Sequence, residues 1–185
     1  MRKVLSIPSI GVIVLSVCAT IVHAANPMVG GAPMPPEKNI VENAVNSKDH
    51  TTLVAAVKAA GLVETLQGTG PFTVFAPTNE AFAALPAGTV DELLKPENKD
   101  KLTKILTCHV VAAEAFSKDI MKMVDDDKGA HPVKTVGGCT WTAKYADGKI
   151  MIEDENGNVA NVTIADVDQS NGVIHVIDKV LLPKM

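Results

Sequence analysis

Aromatic side chains are scarce in this chain: one Trp, one Tyr and four Phe among 185 residues. A carbohydrate groove or a stacking platform for bases needs several exposed rings, so this scarcity argues against both. Cysteine is also rare, at three. With no Cys-x-x-Cys pair and no compact Cys/His set, the usual signatures of a thiol oxidoreductase and of a zinc site are missing. Basic residues are outnumbered, 17 Lys and Arg against 21 Asp and Glu for a formal charge of −4, so nucleic acid is not an expected partner. The length fits one domain and argues against a large multidomain enzyme.

What is present begins with an export signal. Met1-Arg2-Lys3 precedes an apolar run from Val12 to Val22, and Val22-His23-Ala24 leads into Ala25-Asn26-Pro27. This predicts a secretory signal peptide over residues 1–24, cleaved after Ala24 or Ala25. The strongly apolar run is near 11 residues where a bilayer span needs about 20, so no permanent membrane span is expected after cleavage. Cys18 lies in Leu15-Ser16-Val17-Cys18, but bulky Val17 sits where a lipoprotein cleavage site needs a small residue. Cleavage removes Arg2 and Lys3 with a segment free of Asp and Glu, which leaves about 160 residues with a formal charge of about −6. The expected location is periplasmic or extracellular. There Cys108 and Cys139 can form a disulfide, or remain two buried thiols; sequence leaves both open.

Pro and Gly recur through residues 25–36, which reads as a flexible leader with Met28 and Met34 incidental, so the domain is placed at 37–184. Asn39-Ile40-Val41-Glu42 has capping-box spacing, and Asp49 to Ala60 puts Leu53, Val54, Val57 and Ala60 on one helical face closed by Gly61. Phe72 to Ala76 reads as a strand, and Thr78 can cap the turn after it. Thr89-Val90-Asp91-Glu92 repeats the capping-box spacing, and Leu102, Ile105 and Leu106 mark another helix. Beyond Val111 the pattern loosens through Asp125-Asp126-Asp127 and then turns β-like. Trp141, Ala143 and Tyr145 alternate toward one side, Asp147-Gly148 is a hairpin turn, and Val173 to Ile177 forms a last apolar strand. A helical first half around an early strand, followed by a β-rich second half, predicts an α+β fold.

Few side chains carry a chemical signature. The acidic run at Asp125 reads as a solvated loop. Asp154, Asn156 and Asn158 match the start of a calcium loop, but Val159 replaces the required glycine and Ala165 the closing carboxylate, so a hairpin turn is expected. His109 and His175 sit among Val, Ile and Leu, with no Ser, Cys or carboxylate at a spacing that marks a catalytic unit. They read as structural imidazoles or interaction residues, and no residue is assigned a catalytic, cofactor-binding or metal-binding role. Asn161-Val162-Thr163 is a formal glycosylation acceptor.

Two longer segments, Phe72-Thr73-Val74-Phe75-Ala76-Pro77-Thr78-Asn79-Glu80-Ala81-Phe82 and Asn171-Gly172-Val173-Ile174-His175-Val176-Ile177-Asp178-Lys179-Val180-Leu181-Leu182-Pro183, closely resemble the signature segments of the fasciclin family. Thr52 to Leu62 is similar to that family's early helix. The resemblance implies a seven-stranded β-wedge with several packed α-helices, without an enzyme active site. It also implies a non-enzymatic, extracytoplasmic module of the adhesion type, binding an envelope, surface or matrix protein or glycan. Some animal members carry a Tyr-His pair in adhesion; here His109 is retained while Cys108 stands in place of the tyrosine. Two other functions remain as expectations to test. One is a carrier of a porphyrin or hydrophobic molecule in a groove near His109. The other is a thiol redox protein using Cys108 and Cys139.

Overall fold

A computed structural model describes residues 27–184 of the chain. The signal-peptide expectation and Cys18 lie outside the described residues. The chain enters through two short strands, β1 (Met28–Val29) and β2 (Ala32–Pro33), paired antiparallel. Helices α1 (Ile40–Ala44), α2 (Thr51–Ala60) and α3 (Val63–Leu66) follow, then strand β3 (Phe72–Pro77) and helices α4 (Asn79–Ala83), α5 (Thr89–Leu93) and α6 (Lys99–Cys108). Strand β4 (Val110–Val111) and helix α7 (Ser117–Asp126) lead to β5 (His131–Lys134), β6 (Thr140–Ala146), β7 (Lys149–Glu153), β8 (Val159–Gln169) and β9 (Gly172–Ile177). The main sheet has seven strands in the order β4-β3-β9-β8-β7-β6-β5, with β3 and β9 parallel and the other pairs antiparallel. This is the α+β wedge with packed helices expected above.

The central parallel pair explains why the two signature segments are so apolar. Successive strand residues point to opposite faces, and here both faces are covered. Val74 and Ala76 of β3, with Ile174 and Val176 of β9, pack against Ile40, Leu53, Leu102 and Ile105 of the helical layer. Phe75 and Ile177 point the other way, into a second cluster with Trp141, Ile152 and Val124. A strand buried on both sides has no polar alternation to display. At Gly172 the backbone takes φ +150°, and a methyl group there would overlap the Phe72 carbonyl beside it.

Local signals behave as their chemistry requires, with instructive departures. Asn39 accepts the Glu42 N–H at 2.9 Å while the Glu42 carboxylate accepts the Asn39 N–H at 3.0 Å, a complete capping box. Thr78 caps α4 through the Ala81 N–H at 3.2 Å. Thr89 does not cap α5: Gly88, at φ +84°, is the capping residue, and Thr89 is the first helical position. The leader reading fails at Met34, which is 2% exposed and belongs with Val29 to the helical core, whereas Met28 is exposed. Its prolines and glycines shape a β-hairpin whose alternate side chains reach the core. The loosened pattern before Asp125 conceals α7, whose inward face consists of little more than Ile120 and Val124. Asp125 and Asp126 are its exposed last residues. Tyr145 departs from the buried Trp141 and Ala143 because it lies next to the hairpin turn, where it is 39% exposed.

Candidate functional site

His109 terminates α6 and heads into β4, so its ring lies under the end of the chain rather than on a surface. Nδ1 is 2.8 Å from the Ile105 carbonyl, and Nε2 accepts the Leu181 N–H at 3.0 Å. An acceptor at Nδ1 and a donor at Nε2 specify the neutral tautomer with its proton on Nδ1. Burial lowers the pKa to about 4, against the smaller opposing pulls of the Ile105 carbonyl and Asp154.

His175 lies in β9 with Phe75 of β3 as its register partner, and the two rings stack with centroids 5.8 Å apart. Its Nε2 is 2.8 Å from the Ala115 carbonyl, and its Nδ1 accepts the Asp166 N–H at 3.3 Å. The register shifts of β8 between Val162 and Val167 put Asp166 at φ +58°. From that bend the Asp166 carboxylate takes both the backbone N–H and the hydroxyl of Ser117 at the start of α7. Burial lowers the His175 pKa, with the Ala115 carbonyl and Asp166 opposing. Both imidazoles are therefore neutral connectors between elements, and neither ring keeps a free nitrogen for a metal or a reacting proton.

Cys108 and Cys139 are bonded, with Cα atoms 5.5 Å apart, and both are buried. The bridge ties the end of α6 to the turn before β6. Gly137 is required beside it, since a Cβ there would lie 2.7 Å from both the Cys108 nitrogen and sulfur. A covered disulfide provides no thiolate for attack, which removes the geometry that the redox reading needs.

An apolar gap does reach His109, as the carrier reading requires, but it is small. The apolar gap between α1, α2 and α6 that reaches His109 has a volume of only about 40 Å³, room for a few water molecules and far too little for a porphyrin. Val57, Leu66 and Leu106, all buried core residues, close around it and keep it small.

Several polar side chains that sequence reading passed over as turn residues prove to be long-range ties. Asn171 accepts the Ile40 N–H at 3.1 Å and donates to the carbonyls of Leu66 at 2.8 Å and Gly68 at 2.9 Å. Asp154 accepts the N–H groups of Asn156 and Asn158, both at 2.9 Å, and holds the Leu182 N–H at 3.1 Å. Its carboxylate thus organises the hairpin turn expected there and pins the C-terminal segment. The only hint in the sequence was their occurrence as Asp or Asn beside Gly turns.

A family model described as "Fasciclin domain" matches residues 48–183. Protein sll1483 of Synechocystis sp. is 55% identical over 146 residues, covering 79% of this chain and 74% of that protein. The cell surface glycolipoprotein MPB83 of Mycobacterium bovis is 37% identical over 145 residues, 76% of this chain and 58% of that protein. Among solved structures, a domain pair from the insect cell adhesion molecule Fasciclin I shares the fold, with a TM-score of 0.71 at 22% identity over 80% of this chain and 51% of that one.

Proposed function

The chain belongs to the fasciclin domain family, and from that premise we propose that it is an exported, non-enzymatic interaction module that binds an envelope, surface or matrix component. The observation that supports this reading is the inward placement of every reactive side chain the sequence nominates. His109, His175, Cys108 and Cys139 each have their bonding capacity taken up inside the fold. What the domain presents to its surroundings is shape and surface. The cell-surface description of the mycobacterial relative agrees with export, as do the signal features ahead of Ala25. We place the folded unit from Pro27 onward, because Val29 and Met34 complete its core.

The contact face we assign is the shallow hollow of about 710 Å³ beside the β6–β7 hairpin, lined by Tyr145, Met121, Ile150 and Val162 and by the polar Ser117, Asn161 and Asp178. A half-exposed tyrosine combines a large apolar contact with a hydrogen-bonding tip, the combination that anchors many interfaces. The test places a photo-crosslinking residue at position 145 in the native cell, followed by pull-down and mass spectrometry of the mature protein. One envelope protein or glycan captured from position 145, and not from Lys101 on the exposed side of α6, supports the reading. Equal capture from both positions, or none from position 145, overturns the assigned face.

A further inference from the structure

The sheet closes on itself at one end and gapes at the other. At the closed end the Val136 N–H, just past β5, donates to the Val110 carbonyl of β4 at 2.8 Å. Beyond that bond the two edge strands diverge beneath α7, and a cavity of about 330 Å³ opens between them. That volume lies within the range of small-molecule sites, about 300 to 1,000 Å³, and a cavity of about 150 Å³ already accepts a benzene ring.

The interior of this cavity is apolar. Phe75, Val111, Ile120, Met123, Val133 and Ile152, together with three alanines, form most of its lining. The one hydroxyl that reaches it, on Thr73, is already satisfied, donating to the Ala113 carbonyl at 2.6 Å and accepting the Ala115 N–H at 2.9 Å. An occupant therefore meets hydrocarbon in the cavity and finds polar groups only at the mouth, where Glu114, Asp119, His131 and Lys134 stand.

The charges at the mouth are unequal. His131 turns its Nδ1 to the Asp127 carboxylate, 2.6 Å away. Asp119 accepts the Phe116 N–H at 3.1 Å, which leaves its negative charge in place. Neither Glu114 nor Lys134 takes part in an ion pair among the described residues. Two carboxylates thus face one ammonium, and the complementary occupant carries a positive charge. An extended peptide is a poor alternative: Pro132, in the middle of β5, supplies no N–H for a continuous ladder along this edge.

We propose that the gap between β4 and β5 binds a small apolar amine, its hydrocarbon body among Phe75, Ile120 and Val133 and its ammonium at the mouth against Glu114 and Asp119. This site is separate from the face around Tyr145 and does not depend on the surface-partner reading.

The test titrates the mature protein at low salt with 2-phenylethylammonium, 2-phenylethanol and 3-phenylpropionate, followed by methyl and amide NMR shifts. The expected result is saturable binding of the ammonium, with the largest shifts at Ile120, Val133 and Ile152. The alcohol binds more weakly and the carboxylate more weakly still, because the exposed Glu114 and Asp119 carboxylates attract an ammonium and repel a carboxylate. Glu114→Gln, at an exposed position, weakens the ammonium about threefold, the typical worth of an exposed ion pair. Met123→Trp fills the cavity from a half-buried helix position and abolishes binding while the near-ultraviolet spectrum stays native; Val133→Phe serves if that variant misfolds. Carboxylate binding as tight as ammonium binding overturns the proposal. So do shifts centred elsewhere, a folded Met123→Trp or Val133→Phe that still binds, or no saturation by tens of millimolar ammonium.

Discussion

Leu181 donates its backbone N–H to Nε2 of His109 at 3.0 Å, across a sequence separation of 72 residues. The same ring reaches the Ile105 carbonyl at 2.8 Å, so one imidazole joins the last turn of α6 to the final segment of the chain. The histidine that the family resemblance associates with adhesion is here 2% exposed, and its work is internal.

Replacing it exposes that work. His109→Phe keeps a planar ring but leaves the Leu181 N–H without an acceptor in a buried setting, which costs about 1 to 3 kcal/mol. The thermal midpoint falls by about 3 to 10 °C in consequence. Differential scanning calorimetry of the variant against the parent checks this; an unchanged midpoint shows that the bond carries no stability.

Acid weakens the fold through the same ring. The unfolded chain binds a proton on His109 near the ordinary 6.5, the folded chain only near 4. Between those values the unfolded state holds more protons, so stability falls as pH drops from 6.5 to 4, and this contribution levels off below 4. The loss from this residue is about 3 kcal/mol, and His175 and His50, also lowered by burial, act in the same direction. Urea unfolding at pH 7, 5.5 and 4 measures the slope. His109→Phe flattens it; an equal slope in parent and variant assigns the acid sensitivity elsewhere.

Cys108→Ser with Cys139→Ser removes a bridge that closes a span of 31 residues, a loss of about 4 kcal/mol on the chain-entropy relation. Because both cysteines are buried, a thiol reagent applied after mild reduction labels the native protein only as fast as it opens. Mass spectrometry that finds rapid labelling without denaturant contradicts the burial seen here.

Asn171→Ala deletes three hydrogen bonds to α1, α3 and the chain after it, and strands the Ile40 N–H. A cost of about 3 kcal/mol is expected, since each bond contributes about 1 kcal/mol and the buried donor adds its desolvation penalty. Asn171→Asp restores the acceptor but not the donors and recovers only part of the loss. Chemical denaturation of the two variants separates the contributions.

Legibility in the sequence followed the range of the interactions. The capping box at Asn39 and the closing glycine Gly61 were readable because their partners lie within a few residues. The paired apolar strands β3 and β9 were readable because both of their faces are buried. Helix α7 was not, since two buried residues among charged neighbours leave too narrow a stripe to stand out. Met34 was misread for a related reason: its burial depends on core residues far along the chain, and the Pro and Gly around it signal only that no helix forms. The groove near His109 was expected from the presence of a histidine among apolar residues, a pattern that fits a filled core as well as a cavity.

By itself the sequence determined the α+β class, the family, and the apolar character of the two strands at the centre, because these follow from local spacing and from which side chains avoid water. Only the tertiary structure decided that Cys108 meets Cys139, that His109 and His175 face inward as neutral connectors, and that the apolar cavity between β4 and β5 is several times larger than the gap beside His109. Those outcomes depend on distances between residues dozens of positions apart, which packing sets and local composition does not encode.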